Sequence, residues 1–306
     1  MKTILVTGSN GLLGQKLIHL LASQKEFRLV ATARGQNRVL LDKPFEFASM
    51  DITNPEQIQE VFTRYQPHLL IHTAAMTQVD DCEKDHENCL LQNVKAVQYL
   101  AQAAEKYNTF FIHLSTDFIF DGTAGPYDEE AQPNPISFYG NSKWEAEKIL
   151  QSSSLQWAIA RTVLVYGIAQ DMSRSNIILW VKKSLEEGKK IKVVDDQWRT
   201  PTLAEDLAKG CFLIAQKQAT GIFNISGKDL LTPYQMALAT ADFFGLDKTL
   251  IERADSTTFT QPARRPPRTG FVIEKARKIL GYEPHSFQEG LAIVAEQLAK
   301  QQQAKF

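Results

Sequence analysis

Tyr139 and Lys143 are the pair of side chains in this sequence best suited to acid–base chemistry. They are four residues apart in a segment with a helical pattern, so the phenol and the ammonium project from one face. We expect the ammonium to favour the phenolate and to lower the pKa of Tyr139 from about 10 towards neutrality. Such a tyrosine can donate a proton to a carbonyl oxygen or remove one from an alcohol. The alternative is a surface Tyr–Lys pair without chemistry.

A second feature precedes this pair. The segment Ser115-Thr116-Asp117 closes a predicted strand, and ligands of open parallel sheets bind at the carboxyl ends of the strands. Tyr139 and Lys143 therefore follow a strand end of the kind that holds a ligand.

Three glycines, Gly8, Gly11 and Gly14, follow a short apolar run at the start of the chain and precede an amphipathic segment. Glycines permit positive φ and close backbone approach, and the start of the helix offers free N–H groups and a positive dipole end. A strand, a glycine turn and a helix in this order predict a site for the pyrophosphate of a dinucleotide. The spacing differs from the commoner Gly-x-Gly-x-x-Gly, and glycines that serve only packing are the alternative.

The elements that must position these residues alternate along the chain. Strands are predicted at Thr3–Thr7, Arg28–Ala33, Glu46–Ser49, Leu69–Thr73, Phe110–Ser115, Trp157–Val165 and Gly221–Ser226. Helices are predicted near Gln15–Ser23, Pro55–Tyr65, Glu83–Tyr107 and Ser137–Gln151. This alternation predicts an α/β fold, a Rossmann-type doubly wound parallel sheet with a smaller C-terminal substrate-binding lobe. We expect residues 1–165 to form the dinucleotide-binding domain, rejoined by about 210–228, and residues 166–306 to form mainly the substrate-binding lobe.

Composition narrows the function classes. The chain has 306 residues, 43% hydrophobic and 23% charged, and a formal net charge of -1, which argues against nucleic acid or an anionic membrane as partner. Neither a leader peptide nor a membrane-spanning run is recognisable, so we expect a cytoplasmic protein. The histidines and cysteines show no metal-ligand spacing, and no metal is expected. His113 lies in a predicted strand and is interpreted as a core histidine with its hydrogen bonds satisfied.

Taken together, these segments resemble the extended branch of the short-chain dehydrogenase/reductase superfamily. The resemblance lies in Thr7–Gly14, Asp51-Ile52, Thr73-Ala74-Ala75, Asn93, Thr116, and Tyr139 with Lys143. Within that branch the chain most resembles the dTDP-4-dehydrorhamnose reductase family, whose STDYVFDG segment is similar to Ser115–Gly122. Further similar segments are Asp80–Glu83, Arg161-Thr162, Val165–Gly167, Asp196-Gln197, Pro201-Thr202 and Arg265-Pro266.

The resemblance implies roles for individual residues. Thr116 would hydrogen-bond the substrate carbonyl, Tyr139 would protonate it as hydride arrives, and Lys143 would bind the nicotinamide ribose and tune Tyr139. Asn93 would hold a water or a backbone group behind Lys143, unless it makes only a structural bond. The implied cofactor-binding residues are Gly8, Asn10, Gly11, Leu12, Leu13, Gly14, Asp51, Ile52, Ala74, Ala75, Tyr139 and Lys143.

The identity of the cofactor can be argued from the residues that follow the second strand. No Asp or Glu stands at Ala33-Arg34-Gly35 to accept bonds from a free 2′-hydroxyl. Arg34, with Arg38 nearby, can instead pair with a 2′-phosphate. We therefore expect NADPH, with NADH as the alternative. The other interpretation is that both arginines only face solvent in a polar loop.

The substrate is expected to be a nucleotide sugar. Its two phosphates need cations and its base a stacking surface, for which the second lobe offers Trp180, Trp198, Arg199, Arg264, Arg265 and Arg268. The substrate-binding residues that we predict are Asp117, Phe118, Arg199 and Arg265. The alternative is that the tryptophans belong to the core of the second lobe and that the arginines lie in a solvated loop.

Three positions depart from the reductase pattern: Phe118 replaces a tyrosine, Leu164 a tryptophan, and Arg199 a glycine. These departures leave the sugar undetermined.

Three functions are compatible with these residues. The first is an NADPH-dependent reductase of a nucleotide-activated 4-keto-6-deoxy sugar, dTDP-linked, with hydride to the C4 carbonyl. The second is a catalytically silent NADP-binding regulatory subunit, because Asp196–Thr202 and Gly221–Met236 also resemble the regulatory subunit of methionine adenosyltransferase. The third is a nucleotide-sugar epimerase or dehydratase of the same branch. The flanking helices are compatible with a homodimer, and nothing favours it over a monomer.

Overall fold

The computed structural model describes residues 1–171 and 175–303. Its strands are β1 (Lys2–Thr7), β2 (Phe27–Ala33), β3 (Glu46–Ser49), β4 (Leu69–His72), β5 (Phe110–Thr116), β6 (Trp157–Thr162), β7 (Val165–Tyr166), β8 (Ile191–Val194), β9 (Thr202–Leu203), β10 (Gly221–Asn224) and β11 (Ile251–Ala254). Seven of them form one sheet in the order β10-β6-β5-β4-β1-β2-β3, and every pair is parallel. The order reverses beside β1, as in Rossmann folds. The predicted fold class is confirmed.

Helices cover both faces of this sheet. They are α1 (Leu12–Leu21), α2 (Pro55–Tyr65), α3 (Val79–Lys84), α4 (His86–Leu90), α5 (Ala96–Tyr107), α6 (Phe138–Gln151), α7 (Ile177–Glu186), α8 (Ala204–Lys217), α9 (Pro233–Phe244), α10 (Glu274–Leu280) and α11 (Phe287–Gln303). Short 3-10 turns lie at Asp117–Ile119, Lys248–Leu250 and Ser256–Thr258. None of the helices within the described ranges combines the length and the hydropathy that crossing a bilayer requires.

The β1 strand shows why the sheet is covered on both sides. Successive side chains of a strand point to opposite faces. Ile4 and Val6 lie in a core with α1 and α8, whereas Leu5 lies in a second core with α2, α5 and α6. A strand that is apolar at every position therefore separates two helical layers.

Two sequence predictions need correction. The helix expected over Glu83–Tyr107 is divided, because the Asp85 side chain accepts from the Asn88 N–H and starts a new helix there. A π-helical turn, Leu91–Lys95, then joins α4 to α5. The strand expected to reach Val165 ends at Thr162, since Leu164 adopts φ +35°, and β7 pairs with β9 outside the main sheet.

A second lobe surrounds the parallel pair β8 and β11. Its core contains Val181 and Leu185 of α7 with Ala237 and Ala241 of α9. The α8 helix packs on α1 and β10 joins the main sheet, so the chain returns to the first lobe after residue 203. The domain division at residue 165 stays a prediction, and residues 172–174 and 304–306 of the expected second lobe lie outside the described residues.

Candidate active site

A cavity of about 1180 Å³ runs along the carboxyl ends of the main-sheet strands and into the second lobe. Seventeen predicted site residues line it: Gly8, Asn10, Gly11, Leu12, Leu13, Gly14, Arg34, Asp51, Ile52, Ala74, Ala75, Thr116, Asp117, Phe118, Tyr139, Lys143 and Arg199. Arg265 does not line this cavity. The structure thus brings together residues from strand ends that are distant in the sequence.

The glycine turn has the shape of a phosphate cradle. Gly8 adopts φ +69°, and a Cβ there would lie 2.7 Å from the Thr73 Oγ1. A Cβ on Gly14 would lie 2.2 Å from the Gly8 carbonyl oxygen, so α1 packs directly on the turn. Among the described residues, no side chain caps the start of α1 at Gly11. The first N–H groups of the helix are therefore available to an anion.

The ribose end of the cavity is cationic. Arg34 and Arg38 are exposed and line it, and within the described residues neither guanidinium has a hydrogen-bond or ion-pair partner. In the loop between β2 and β3, the residues that line the cavity are Arg34 and Arg38, and this lining contains no carboxylate. Asn10 joins this loop to the glycine turn, since its amide donates to the Gln36 carbonyl and accepts from the Arg38 N–H, each at 2.9 Å. These residues fit the 2′-phosphate of NADPH.

The reactive end is built on α6 and on the end of β5. The Ser137 hydroxyl caps α6 by accepting from the Gly140 N–H, 3.1 Å away, and this places Tyr139 in the first turn. The Tyr139 phenol lies beside the Thr116 hydroxyl, which acts against burial to lower the pKa of Tyr139. The Thr116 hydroxyl also donates to the Asp117 carboxylate, at 3.1 Å. The phenol of Tyr139 thus lies at the carboxyl end of β5.

Gly140 allows this close approach and was missed by sequence reasoning. A Cβ at this position would lie 2.1 Å from the Phe118 carbonyl oxygen. A glycine inside a helix lowers helical stability, and this signal could have indicated a packing role. The Phe118 ring then meets Tyr139 edge to face, with the ring centroids 5.9 Å apart.

The expected lowering of the Tyr139 pKa is wrong for the protein alone. Tyr139 is 8% exposed, and burial raises its pKa because the phenolate is poorly solvated there. The neighbouring Thr116 hydroxyl opposes this shift more weakly, because it favours the phenolate. The Lys143 ammonium contacts His113 instead, at 3.2 Å, and burial lowers the pKa of Lys143 to about 8. Tyr139 is therefore a protonated phenol at neutral pH.

Asn93 lies in the π-helical turn and holds a backbone group, as one of the two sequence interpretations proposed. Its amide accepts from the Met76 N–H at 2.8 Å and donates to the Met76 carbonyl at 3.0 Å. It also donates to the Ser142 hydroxyl at 3.0 Å. Asn93 therefore fixes the loop after β4 against α6, where Ala74 and Ala75 line the cavity.

The two arginines predicted to bind substrate are already engaged. Arg199 is 3% exposed and donates to the carbonyls of Trp198 and Pro266, at 2.7 and 2.8 Å. Arg265 forms a two-pronged ion pair with Asp80, at 2.7 and 3.2 Å. Both guanidinium groups have partners within the protein, and their assignment to the substrate diphosphate stays a prediction.

Other residues of the second lobe face the cavity. Trp180 is 40% exposed and lines it, as does the exposed Lys192 on β8, which sequence reasoning did not single out. Phe259 and Gln261 line the same end. An aromatic surface is therefore present where the cavity leaves the main sheet, together with an ammonium that has no partner in the described part of the chain.

The doubly wound sheet, this cavity and the similarity to known proteins place the chain among the NAD(P)H-dependent oxidoreductases of the extended short-chain dehydrogenase/reductase type. Comparison with known proteins identifies the family. The chain belongs to the family described as the RmlD substrate binding domain, whose sequence model matches residues 1–300.

Individual relatives agree with this assignment. The dTDP-4-dehydrorhamnose reductase of Aggregatibacter actinomycetemcomitans is 28% identical over 303 residues, which cover 95% of this chain and 97% of the relative. The dTDP-4-dehydrorhamnose reductase of Bacillus anthracis, solved in complex with NADP, superposes with a TM-score of 0.85 at 26% identity and covers 97% of this chain and 100% of that one. The methionine adenosyltransferase 2 subunit beta of Bos taurus is 32% identical over 253 residues, 80% of this chain and 73% of the relative.

Proposed function

We propose that the protein reduces the C4 carbonyl of a nucleotide-activated 4-keto-6-deoxy sugar with NADPH, and that Tyr139 is the proton donor. The observation that carries this proposal is that Thr116, Tyr139 and Lys143 line the same cavity as the glycine turn and Arg34. An acid is thus held where a dinucleotide and a second ligand can meet.

The protein's own residues suit a reduction in this direction. Bound NADPH would supply hydride to the carbonyl carbon. Tyr139 offers its hydroxyl to the carbonyl oxygen, and Thr116 joins it when its hydroxyl turns from Asp117 to the substrate. The raised pKa of Tyr139 keeps the phenol protonated until negative charge develops on that oxygen. Lys143, one turn later on the same face of α6, carries the positive charge that stabilises the phenolate left behind.

The nucleotide-sugar substrate is supported by the far end of the cavity. Trp180 offers a stacking surface for a base, and Lys192 offers a cation for a diphosphate. Both the Aggregatibacter and the Bacillus relatives are named dTDP-4-dehydrorhamnose reductases, and dTDP-linked sugars are therefore the first substrates to test.

The test is an NADPH oxidation assay against a panel of nucleotide-linked keto sugars, with NADH as comparator. We expect oxidation with a dTDP-linked 4-keto-6-deoxy sugar, and slower oxidation with NADH. A purified protein that binds NADPH yet oxidises it with none of the sugars would overturn the proposal.

A regulatory role is the second candidate, because the Bos taurus relative is a subunit of another enzyme. That role needs no proton donor, whereas this chain retains Thr116, Tyr139 and Lys143 in one cavity. Size-exclusion chromatography with a methionine adenosyltransferase catalytic subunit separates the two functions. Co-elution, together with no NADPH oxidation on the panel, would favour regulation.

A further inference from the structure

His113 on β5 lies against Lys143 and has no part in the function proposed above. Its Nε2 is 3.2 Å from the Lys143 Nζ, and in the described parts of the chain no other hydrogen-bond partner of this ammonium is present. His113 is 1% exposed and Lys143 is 4% exposed. Lys143 lines the cavity, whereas His113 does not, so the imidazole supports the ammonium from within the protein.

The chemistry of the two groups sets the direction of this hydrogen bond. An ammonium has three donors and no acceptor, so the His113 Nε2 must accept. The ring is therefore neutral and carries its proton on Nδ1. Burial also lowers the pKa of His113 well below its ordinary value, which agrees with a neutral ring. The Nδ1 is buried and has no hydrogen-bond partner among the described residues, so this ring is held by packing and by Lys143.

The remaining neighbours of Lys143 do not replace this contact. They are Glu147 on its own helix with Arg161 of β6, His72 on β4, and Cys82 and Cys89 on α3 and α4. The Glu147 carboxylate is taken by Arg161, at 2.7 and 3.1 Å. His72 stacks on His113 with ring centroids 5.5 Å apart and bonds the Thr7 hydroxyl at 2.7 Å. His113 alone of this group touches the ammonium.

We propose that His113 is a positioning residue for Lys143: it accepts one ammonium hydrogen from behind and leaves the other two for the hydroxyl groups of a bound dinucleotide. This inference rests on the proposed function for its role in catalysis, and on geometry for its role in cofactor binding. A hydrogen bond accepted from a charged group favours the charged form. His113 therefore opposes the burial that lowers the pKa of Lys143 to about 8.

The first test examines the wild-type protein. Long-range ¹H–¹⁵N correlation spectra of the histidine rings, assigned with a His113→Gln sample, report which nitrogen carries the proton. We expect His113 to be the Nδ1–H tautomer at neutral pH. An Nε2–H tautomer would mean that His113 donates to an uncharged lysine, and it would overturn the inference.

The second test compares His113→Gln, which retains an acceptor, with His113→Met, which has a similar length and no comparable acceptor. NADPH affinity is measured by fluorescence as a function of pH. In the wild type we expect NADPH affinity to fall with a midpoint near pH 8, because Lys143 loses its charge there. His113→Met should raise the Kd about tenfold at pH 7 and move this midpoint down by about one unit. His113→Gln should stay within about threefold of wild type. Lys143→Met should remove the midpoint.

The outcomes separate this inference from the proposed function. Equal losses in both His113 variants, or an unshifted midpoint in His113→Met, would reduce His113 to a packing residue and overturn the inference. If the wild type oxidises NADPH with no keto sugar while the His113 effects on binding are observed, the proposed function fails and the positioning role stands. If His113→Met does not fold, the tautomer of the wild type decides.

Discussion

Burial determines what Tyr139 can do. A phenol beside an ammonium is commonly expected to ionise, but here the ammonium bonds an imidazole and the phenol lies beside a neutral hydroxyl. Poor solvation of the phenolate keeps Tyr139 protonated, which suits a donor in a carbonyl reduction. The same desolvation lowers the pKa of Lys143. Burial in one site therefore raises the pKa of the Tyr139 phenol and lowers the pKa of the Lys143 ammonium.

Tyr139→Phe removes the proposed proton donor and leaves the packing of the ring intact. We expect kcat for NADPH oxidation to fall by about 10²- to 10⁴-fold, while NADPH affinity changes little. Tyr107→Phe is the matched control, since the Tyr107 hydroxyl bonds Gln59 and Thr63 away from the cavity. Turnover of Tyr139→Phe at the control level would show that another group supplies the proton.

Arg34→Ala removes a guanidinium that has no partner in the described structure. If it binds the 2′-phosphate, NADPH affinity should fall about 10- to 100-fold, whereas NADH affinity should stay unchanged. Arg264→Ala, an exposed arginine outside the cavity, is the control. Calorimetric titration with both cofactors measures the difference, and equal losses for NADPH and NADH would exclude a contact with the 2′-phosphate.

At the scale of elements, the site depends on how closely α6 approaches the end of β5. The first turn of α6 packs on the turn at Asp117–Ile119, and the absence of a side chain at Gly140 sets this distance. Deeper in the protein, the buried pair of Glu147 and Arg161 joins α6 to β6. Contacts at its start and in its interior therefore fix the helix that carries Tyr139 and Lys143.

Gly140→Ala should separate α6 from the strand end. The new Cβ would lie 2.1 Å from the Phe118 carbonyl oxygen, so backbone must move. We expect unfolding free energy to fall by about 1–3 kcal/mol and kcat to fall with it, because Tyr139 moves away from Thr116. Urea unfolding and NADPH oxidation are the measurements. The control is Glu145→Ala on the exposed face of α6, which should change the unfolding free energy by less than about 0.5 kcal/mol. A wild-type kcat in Gly140→Ala would show that catalysis does not need the close approach of α6 to β5.

At the scale of the whole molecule, the sequence predicts those structural features that residue periodicity and local motifs determine. Alternating strands and helices predict the sheet, and strand ends followed by glycine or hydroxyl residues predict the cofactor and catalytic residues. Contacts between segments that are distant in the sequence leave no local pattern from which they could be predicted. His113 was interpreted as a satisfied core histidine, yet its Nδ1 has no partner in the described chain and its Nε2 contacts Lys143. Arg265 was assigned to substrate as a cation for a diphosphate, which stays a prediction, and nothing local in the sequence indicates its ion pair with Asp80.

The Asp80–Arg265 ion pair joins α3 to the segment that precedes α10, 185 residues further along the chain. Both side chains are partly exposed, at 32% and 21%, so the pair belongs to the class of weak surface ion pairs. The ion pair nevertheless holds this segment of the C-terminal region beside the cavity, because Gln261 in the same segment lines the cavity.

A double-mutant cycle separates this structural role from substrate binding. We expect Arg265→Ala and Asp80→Asn to lower the unfolding free energy by similar amounts, about 1 kcal/mol, and the double variant to lose little more. Because the hydrogen bond from Arg265 lowers the pKa of Asp80, this contribution is present at neutral pH, above the unfolded value of about 4, and is lost as the pH falls through the lowered folded-state pKa. Urea unfolding at pH 7 and near pH 3 measures it. If Arg265 instead binds the substrate diphosphate, Arg265→Ala alone would raise the KM for the nucleotide sugar by about tenfold or more, and Asp80→Asn would leave that KM unchanged.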